Sequence, residues 1–335
     1  MFRRFATILS ATIALLATSA TAAFACGGLI APGHAEVLQR ATTLAAWHDG
    51  YEHYVTGFTF AGSASKFGYL IPLPGVPAKI EKGGGWTLER LEREVNPVAE
   101  DAAFGAKIAA PTPAHVEVLQ HVKIDALDIK VLRGGGRDVA AWARQNGFPL
   151  DYNADDVFAQ YGAQRAIFAA ARFDRADAVK RGLIEGQGAT IHFTIPTAGP
   201  WIPLRILGLG KAKTEVVNAD LFILTDHKPT FSPKVETLGG VDVKQQGQAS
   251  AQLLDDLRSD QGMKWVPSSM YLTALVMHTP SVSINYDLSI DGAVPHGAPA
   301  APIPIDGSLL WWLIIAAFSA AALGMLRRAA LRPAN

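Results

Sequence analysis

The sequence has a single cysteine, no net charge of either sign and no long basic run. With Cys26 alone, neither an intrachain disulfide nor a cysteine-rich zinc site can form. The 30 basic and 30 acidic residues cancel, which argues against the positive surface that a nucleic-acid-binding protein needs. The 335 residues are 49% hydrophobic, so an apolar core can stabilise a folded domain without disulfides.

The sequence also lacks the spacings that identify metal and catalytic sites. No His-Glu-x-x-His motif occurs, and no two histidines have metal-binding spacing. We therefore predict no catalytic set, no cofactor and no metal site. The histidines are scattered over the chain at His34, His48, His53, His115, His121, His192, His227, His278 and His296.

The N-terminus has the three parts of a secretory signal. Arg3 and Arg4 give it a positive start, an apolar stretch follows, and Ala23-Phe24-Ala25 fits the small-x-small pattern before a cleavage site. We therefore predict a signal peptide at residues 1–25. Cys26 then becomes either an ordinary N-terminal residue or a site of lipid attachment, although Phe24 fits a lipoprotein signal poorly.

The C-terminus has the features of a membrane anchor. Residues 309–326 carry no charge, and at roughly 1.5 Å per residue such a helix spans about 27 Å, close to the hydrocarbon thickness of a bilayer. Trp311 and Trp312 lie near one end, where indole rings favour the interface, and Arg327 and Arg328 follow the other end. Because positive charge stays in the cytoplasm, residues 327–335 are predicted to be a cytoplasmic tail. The competing interpretation is a buried core helix.

These two ends define the predicted domain organisation. Residues 26–291 form an extracytoplasmic domain, possibly divided into two subdomains, and residues 292–308 form a stalk rich in Pro, Ala and Gly. The protein is predicted to cross the bacterial plasma membrane once, with its domain on the periplasmic or extracellular side. Its expected partners are membrane lipid and an envelope protein, and nucleic acid is not among them.

The middle of the chain predicts an α+β fold with mainly antiparallel sheet and a few packed helices. Asp49-Gly50 favours a tight hairpin turn, and we expect the first three strands to form an antiparallel meander. Strands are predicted at 37–47, 51–60, 67–72, 116–124, 127–132, 189–195, 201–207, 216–225, 271–278 and 282–290. Helices are predicted around Leu88–Val95, around Val139–Ala143, from Asn153 and at 252–257, with residues 166–173 either helix or strand.

Several fragments of functional motifs have simpler explanations. Ser63-Ala64-Ser65-Lys66 matches the Ser-x-x-Lys of penicillin-recognising enzymes but lacks that family's partner motifs. Residues 151–155 resemble the start of a calcium loop, yet Gly162 stands where the loop needs glutamate. Gly134-Gly135-Gly136 has the position of a phosphate-binding loop, but a tight turn is the favoured interpretation, as it is for Gly208-Leu209-Gly210-Lys211.

A set of short motifs resembles the bacterial domain-of-unknown-function family numbered 2330. The resemblance covers residues 26–228 and implies a shared architecture, while the family has no assigned activity or catalytic residues. Members often carry a second cysteine after the Cys-Gly-Gly start, and this chain does not. The motifs are Cys26-Gly27-Gly28, Phe67-Gly68-Tyr69-Leu70-Ile71-Pro72-Leu73-Pro74, residues 118–132, Trp142 with Asn146-Gly147-Phe148, and Trp201-Ile202-Pro203-Leu204-Arg205-Ile206.

Two classes of function remain open at this point. The first is a non-enzymatic envelope domain with a binding or structural role, for which the aromatic residues Tyr54, Phe58 and Phe60 are either core or partner surface. The second is an extracytoplasmic hydrolase whose residues converge from separate segments, with Ser63, Lys66 and the histidines as its candidates.

Overall fold

The computed structural model describes residues 28–30, 41–59, 68–95, 116–148, 150, 153–181 and 188–297. All of them belong to one unit, Met1–Pro299. The described fold is α+β with mostly antiparallel sheets, which confirms the predicted class at this level. The strands are β1 Gly28–Ile30, β2 Ala41–His48, β3 Tyr51–Thr59, β4 Gly68–Leu73, β5 Lys79–Lys82, β6 Glu117–Ile124, β7 Leu127–Arg133, β8 Ile167–Phe173, β9 Gly188–Pro196, β10 Trp201–Ile202, β11 Val216–Thr225, β12 Phe231–Ser232, β13 Val241–Gln248, β14 Tyr271–Pro280 and β15 Leu288–Ile290.

The α-helices of the described residues are short. Their apolar positions recur at helical spacing, so each longer helix buries one face. Four have nine or ten residues and one has six. They are α1 Thr87–Val95, α2 Gly136–Gln145, α3 Ala154–Ala163, α4 Arg175–Lys180 and α5 Ala251–Ser259.

The strands form two main sheets and one small one. The seven-stranded sheet has the order β13-β14-β11-β2-β3-β9-β5, and within it only the described pair β2–β11 runs parallel. The five-stranded sheet has the order β1-β4-β8-β7-β6 and is antiparallel throughout. A third sheet joins β10, β15 and β12.

The hairpin of β2 and β3 has the turn that the sequence predicts. Asp49 and Gly50 both have positive φ, 51° and 83°, as a two-residue hairpin turn of type I′ requires. The turn fixes the register, so Ala45 lies opposite Tyr54 and Ala46 lies opposite His53. One face of β3 therefore carries Tyr54 and the other carries His53.

The core is divided into three apolar layers. The two large sheets pack against each other through side chains such as Tyr54 and Phe193 from one sheet and Tyr69 and Ile129 from the other. The outer face of the five-stranded sheet is covered by α2 and α3, and the outer face of the seven-stranded sheet is covered by α1 and α5. The order of layers is thus helix, sheet, sheet, helix. Tyr54 is fully buried, and it is therefore a core residue.

The helices α2 and α3 approach so closely that their contact requires glycine. A Cβ atom on Gly136 would lie 1.8 Å from the carbonyl oxygen of Phe158, and one on Gly162 would lie 2.4 Å from the nitrogen of Gly136. The glycine run before α2 therefore serves the helix crossing and the turn out of β7. This supports the turn interpretation of Gly134-Gly135-Gly136 over a phosphate-binding loop.

A side chain from the opposite end of the chain caps α1. Asp260, which follows α5, accepts hydrogen bonds from the backbone N–H of Trp86 (3.3 Å) and Thr87 (2.9 Å) and from the Thr87 hydroxyl (2.6 Å). The carboxylate satisfies donors that the first turn of a helix leaves unpaired. Arg90 pairs with Asp256 at 2.8 Å, so α1 and α5 are held together by two polar contacts.

Three predictions of local structure are wrong. The meander fails because β4 pairs with β1 and β8 in the other sheet, while the free edge of β3 is taken by β9. The strand predicted at 201–207 ends at Ile202, and a 3-10 helix, Arg205–Gly208, follows Pro203, which has no N–H to give to a ladder. The strand predicted at 282–290 is reduced to β15, preceded by another 3-10 helix, Ser281–Ser283.

Other differences concern elements that carry weak local signals. The sequence did not identify β5, β13 or α4, and it left residues 166–173 open, where the structure has β8. The segment Gly208–Lys211 is not a hairpin turn, because it connects a 3-10 helix to β11. The remaining predicted helices are present as α1, α2, α3 and α5.

The close helix crossing gives a test of the fold. We expect Gly136→Ala to lower the free energy of unfolding by about 1–3 kcal/mol, because the new methyl group overpacks the contact with the α3 backbone. The measurement is chemical denaturation monitored by circular dichroism. Gly85→Ala is the matched control, since a Cβ atom at exposed Gly85 meets nothing within 4 Å and should change the free energy by less than about 0.5 kcal/mol. Equal effects of the two substitutions would contradict the crossing.

Candidate functional site

Two histidines from distant parts of the chain meet beneath α5. His53 lies on β3 and His192 on the neighbouring strand β9, where the register places His192 opposite Val55 and Thr194 opposite His53. His53 Nδ1 and His192 Nε2 are 2.8 Å apart, a hydrogen-bonded pair. His53 is 7% exposed and His192 only 1%, so water does not surround this imidazole pair.

The segment between α5 and β14, residues 260–270, covers the imidazole pair. Trp265 stacks on His53 with 3.6 Å between ring centroids and 5° between ring planes. Gly262 has a φ of +80°, and a Cβ atom there would lie 3.4 Å from His192 Nδ1. The backbone of this segment therefore lies directly over the second imidazole ring.

A carboxylate at the sheet edge faces the pair. Glu81 on β5 lies opposite His192 in the register, and its Oε1 is 3.5 Å from His192 Nδ1. The other oxygen of Glu81 binds Lys79 at 2.7 Å. His192 Nδ1 makes no hydrogen bond, but the nearby Glu81 carboxylate favours the tautomer with the proton on that nitrogen. In this tautomer His53 Nδ1–H donates to His192 Nε2.

Burial keeps both rings neutral. Desolvation lowers the pKa of His53 from 6.5 to about 3, and electrostatic repulsion from His192 and then from His48 adds to this effect. Desolvation also lowers the pKa of His192 to about 4, with Glu81 opposing the shift and Lys79 adding to it. At neutral pH the pair is therefore uncharged and can accept protons only at a cost in free energy.

A second buried ionisable group is Glu52, which points to the opposite face of β3. It is fully buried, and burial raises the pKa of its carboxyl well above 4.5 although the N–H of Trp201 donates to it at 3.2 Å. Its Oε2 has no hydrogen-bond partner. The carboxyl ties β3 to β10 through this bond.

A third polar group joins α3 to the small sheet. Tyr161 donates its hydroxyl proton to Asp287 at 2.8 Å and accepts the N–H of Ile206 at 2.9 Å, while Arg205 N–H also donates to Asp287. Burial, followed by the Asp287 carboxylate, raises the pKa of Tyr161 well above 10, and burial likewise raises the pKa of Asp287. These bonds fix the 3-10 helix that starts at Arg205.

An open cleft on the five-stranded sheet is lined by residues of the recognised motifs. It contains about 210 Å³ of empty space including the solvent at its mouth. Lys130 Nζ lies 5.8 Å from the ring centre of Trp142, and Arg172 pairs with Asp128 at 3.5 Å. Trp142 is only 6% exposed, so its ring supports the core more than it lines the cleft. The other lining residues are Asn146, Phe148 and Ala170.

Those sequence-predicted fragments that lie within the described residues have ordinary structural roles. Asn153, in the calcium-like segment, bonds to the backbone of Gly208 and Gly210, and Asp155 pairs with Arg144. His121 pairs with Asp128. Ser63, Lys66 and His115 lie outside the described residues. Across the ranges that the structure describes, no three His, Cys, Asp or Glu side chains are grouped to hold a metal ion.

The predicted ends of the chain also lie outside the described residues. These are Cys26 with the signal peptide, and Trp311, Trp312, Arg327 and Arg328 with the anchor. Within the described part of the chain, every helix is too short or too polar to cross a bilayer.

The sequence does not reveal the imidazole pair, because its members are 139 residues apart. The available signal was the position of each histidine at the centre of an alternating strand, His53 within β3 and His192 within β9. An ionisable side chain in such a place needs an internal partner. The pattern could thus have marked both residues as buried, but pairing them requires the strand order.

Comparison with known proteins gives one family and two weak structural likenesses. The model of a family described as "Uncharacterized protein conserved in bacteria (DUF2330)" matches residues 20–290. No curated protein matches the chain. A mutated baculovirus P35 after caspase cleavage is similar with a TM-score of 0.40 and 6% identity, over 74% of this chain and 98% of that one. The caspase-8/P35 complex gives a TM-score of 0.33 and 8% identity, over 76% and 95%. Scores at this level do not establish a shared fold.

The stacked tryptophan provides a test of the site. We expect Trp265→Ala to lower the free energy of unfolding by about 3 kcal/mol, because it removes the ring that covers His53 and leaves a cavity. Trp265→Phe should cost less than half as much, since the buried Nε1 of Trp265 has no hydrogen-bond partner to lose. Chemical denaturation of the three proteins at pH 7 measures both values. An equal loss in the Phe variant would contradict this account of the Trp265 contact.

Proposed function

We propose that this chain, which belongs to the DUF2330 family of proteins conserved in bacteria, is an exported, membrane-tethered protein with a binding or structural role in the cell envelope. The observation that carries the proposal is the uncharged stretch 309–326, preceded by a proline-rich segment and followed by Arg327 and Arg328. A helix of this length matches a bilayer, and the arginines favour the cytoplasmic side.

The start of the domain is compatible with export and cleavage. The signal-like segment ends at Ala25, and β1 begins three residues later at Gly28. β1 pairs with β4 at the edge of the five-stranded sheet. Cleavage before Cys26 would therefore leave the five-stranded sheet complete.

The other end of the domain is compatible with a tether. His296 N–H donates to Pro74 O at 2.7 Å, and Val294 is 66% exposed. The chain is thus fastened to the domain within the first residues of the predicted stalk, 292–308. A segment that is rich in proline and has few backbone donors holds its two ends apart, which suits a stalk.

The use of buried polar groups supports a binding or structural role. Asp260, Glu52 and Asp287 each accept backbone N–H bonds that join separate elements, as described above. Each carboxyl has at least one oxygen engaged in joining separate elements of the fold. A domain whose ionisable groups are engaged internally suits a protein that presents a surface to a partner.

The membrane tether can be tested with the full-length protein and a version that ends at residue 308. We expect the full-length protein to remain in the membrane fraction after a high-salt wash and to release its domain when protease is added outside spheroplasts. The shorter version should appear in the soluble extracytoplasmic fraction, because it lacks the apolar stretch. Immunoblotting of the fractions measures both. A full-length protein that is soluble without detergent, or one that external protease does not reach, would overturn the proposal.

The mode of attachment gives a second test, using Cys26. We propose that Cys26 is the unmodified first residue of the exported protein and that the C-terminal stretch is the anchor. Intact-mass analysis should show a free N-terminal Cys26, and Cys26→Ser should leave the membrane-bound fraction unchanged. Incorporation of labelled fatty acid that is lost in Cys26→Ser would instead assign the attachment to lipid.

A further inference from the structure

We propose that the His53–His192 pair is an acid-sensitive latch, which holds the covering segment 260–270 against the seven-stranded sheet and releases it on protonation. This inference is independent of the membrane tether. It follows from three contacts described above: the 2.8 Å bond between the rings, the stack of Trp265 on His53, and the backbone at Gly262 lying over His192.

The bond between the rings depends on one shared proton. When both rings are neutral, one nitrogen donates and the other accepts across the 2.8 Å contact. When one ring is protonated, the bond can persist, because the other ring still offers a lone pair. When both are protonated, each nitrogen at the contact carries a hydrogen and neither can accept.

The structure offers a counter-charge for the first proton that the pair takes up, but none for the second. In protonated His192, Nδ1 lies 3.5 Å from the Glu81 carboxylate without a hydrogen bond to it, which is close enough to balance part of the charge. His53 then accepts from His192 at Nδ1 and carries its own proton at Nε2. A second proton on His53 places two positive rings in contact inside the protein. The face of Trp265 attracts a cation, which offsets only part of this repulsion.

The other charged groups around the pair do not supply a second counter-charge. His48 on β2 is engaged with Asp226 at 2.7 Å and opposes protonation of His53, while Lys79 on β5 opposes protonation of His192. From the covering segment, Asp260 already caps α1 and Lys264 is exposed. Thr194, beside His192 at 3.5 Å, is neutral.

The covering segment is the part of the domain that moves when the pair is protonated. β3 and β9 are interior strands with ladders on both sides, whereas residues 260–270 form a connection without a strand of their own. Moving that connection admits water to both rings. While the segment covers the rings, the pKa is about 3 for His53 and about 4 for His192. When water reaches the rings, both pKa values return towards 6.5.

The direction of the pH effect follows from these values. Between about pH 6.5 and pH 4 the open state binds more protons than the closed state, so acidification favours opening and neutral pH favours closure. For each proton that opening takes up, the equilibrium constant for opening rises about tenfold with each unit of decrease in pH. With two rings, the increase lies between about tenfold and about a hundredfold per unit.

Hydrogen exchange of the full-length protein in detergent, read by mass spectrometry from pH 7 to pH 4.5, tests the latch. After correction for intrinsic exchange rates, opening of residues 260–270 should increase more than tenfold per unit below pH 6. Exchange in α2, on the far side of the molecule, should stay constant. Constant protection of the segment, or an equal increase in α2, would overturn the proposal, because the latter indicates global acid unfolding.

Two variants separate the roles of the two rings and the carboxylate. His192→Gln keeps an amide that can bond His53 but does not titrate, so the increase should fall to at most about tenfold per unit. Glu81→Gln removes the counter-charge, so the closed pair takes up its first proton less readily and the rise in opening should continue below pH 4. His278→Asn and Glu236→Gln, at exposed positions, are the matched controls and should behave as the wild type. A wild-type slope in His192→Gln would refute the latch; if that variant does not fold, Glu81→Gln and the wild-type comparison with α2 decide the question.

Discussion

The described domain depends on one constraint, which is that both large sheets are covered by apolar layers on both faces. Strands such as β4, buried at every position, can exist only where the other sheet packs on one side and helices pack on the other. Any polar side chain on an interior strand must then find a partner within the protein. His53 and Glu52 are adjacent residues on opposite faces of β3, and each meets this demand differently, one through a second histidine and one through the N–H of Trp201.

Local signals predicted the elements that local chemistry determines. Asp49-Gly50 specified a hairpin because its backbone conformation suits those two residues, and the apolar stripe of Val139, Trp142 and Ala143 specified α2 because it recurs at helical spacing. β13 was missed because it is an edge strand whose exposed positions are mostly polar. The strand after Trp201 was overextended because alternation says nothing about the 3-10 helix that Asp287 stabilises from a distance.

The order of the strands could not be predicted from the sequence, for a different physical reason. Alternating side chains identify a strand and its buried face, but they do not identify its neighbour, since many apolar strands fit beside β3 equally well. The candidate site depends on that neighbour: His53 meets His192 only because β9 occupies the edge that β4 was expected to take. The carboxylate of Glu81 joins them only because β5, which the sequence did not identify as a strand, lies beyond β9.

The position of β2 and β3 has a consequence for how the chain acquires its structure. These strands come early in the sequence, yet their neighbours on either side, β11 and β9, are separated from them by well over a hundred residues. A chain that emerges N-terminus first therefore presents an isolated hairpin with two open edges long before either neighbour exists. Contacts between such distant segments form slowly. The seven-stranded sheet can therefore be completed only after β14, its last strand in the sequence, is available.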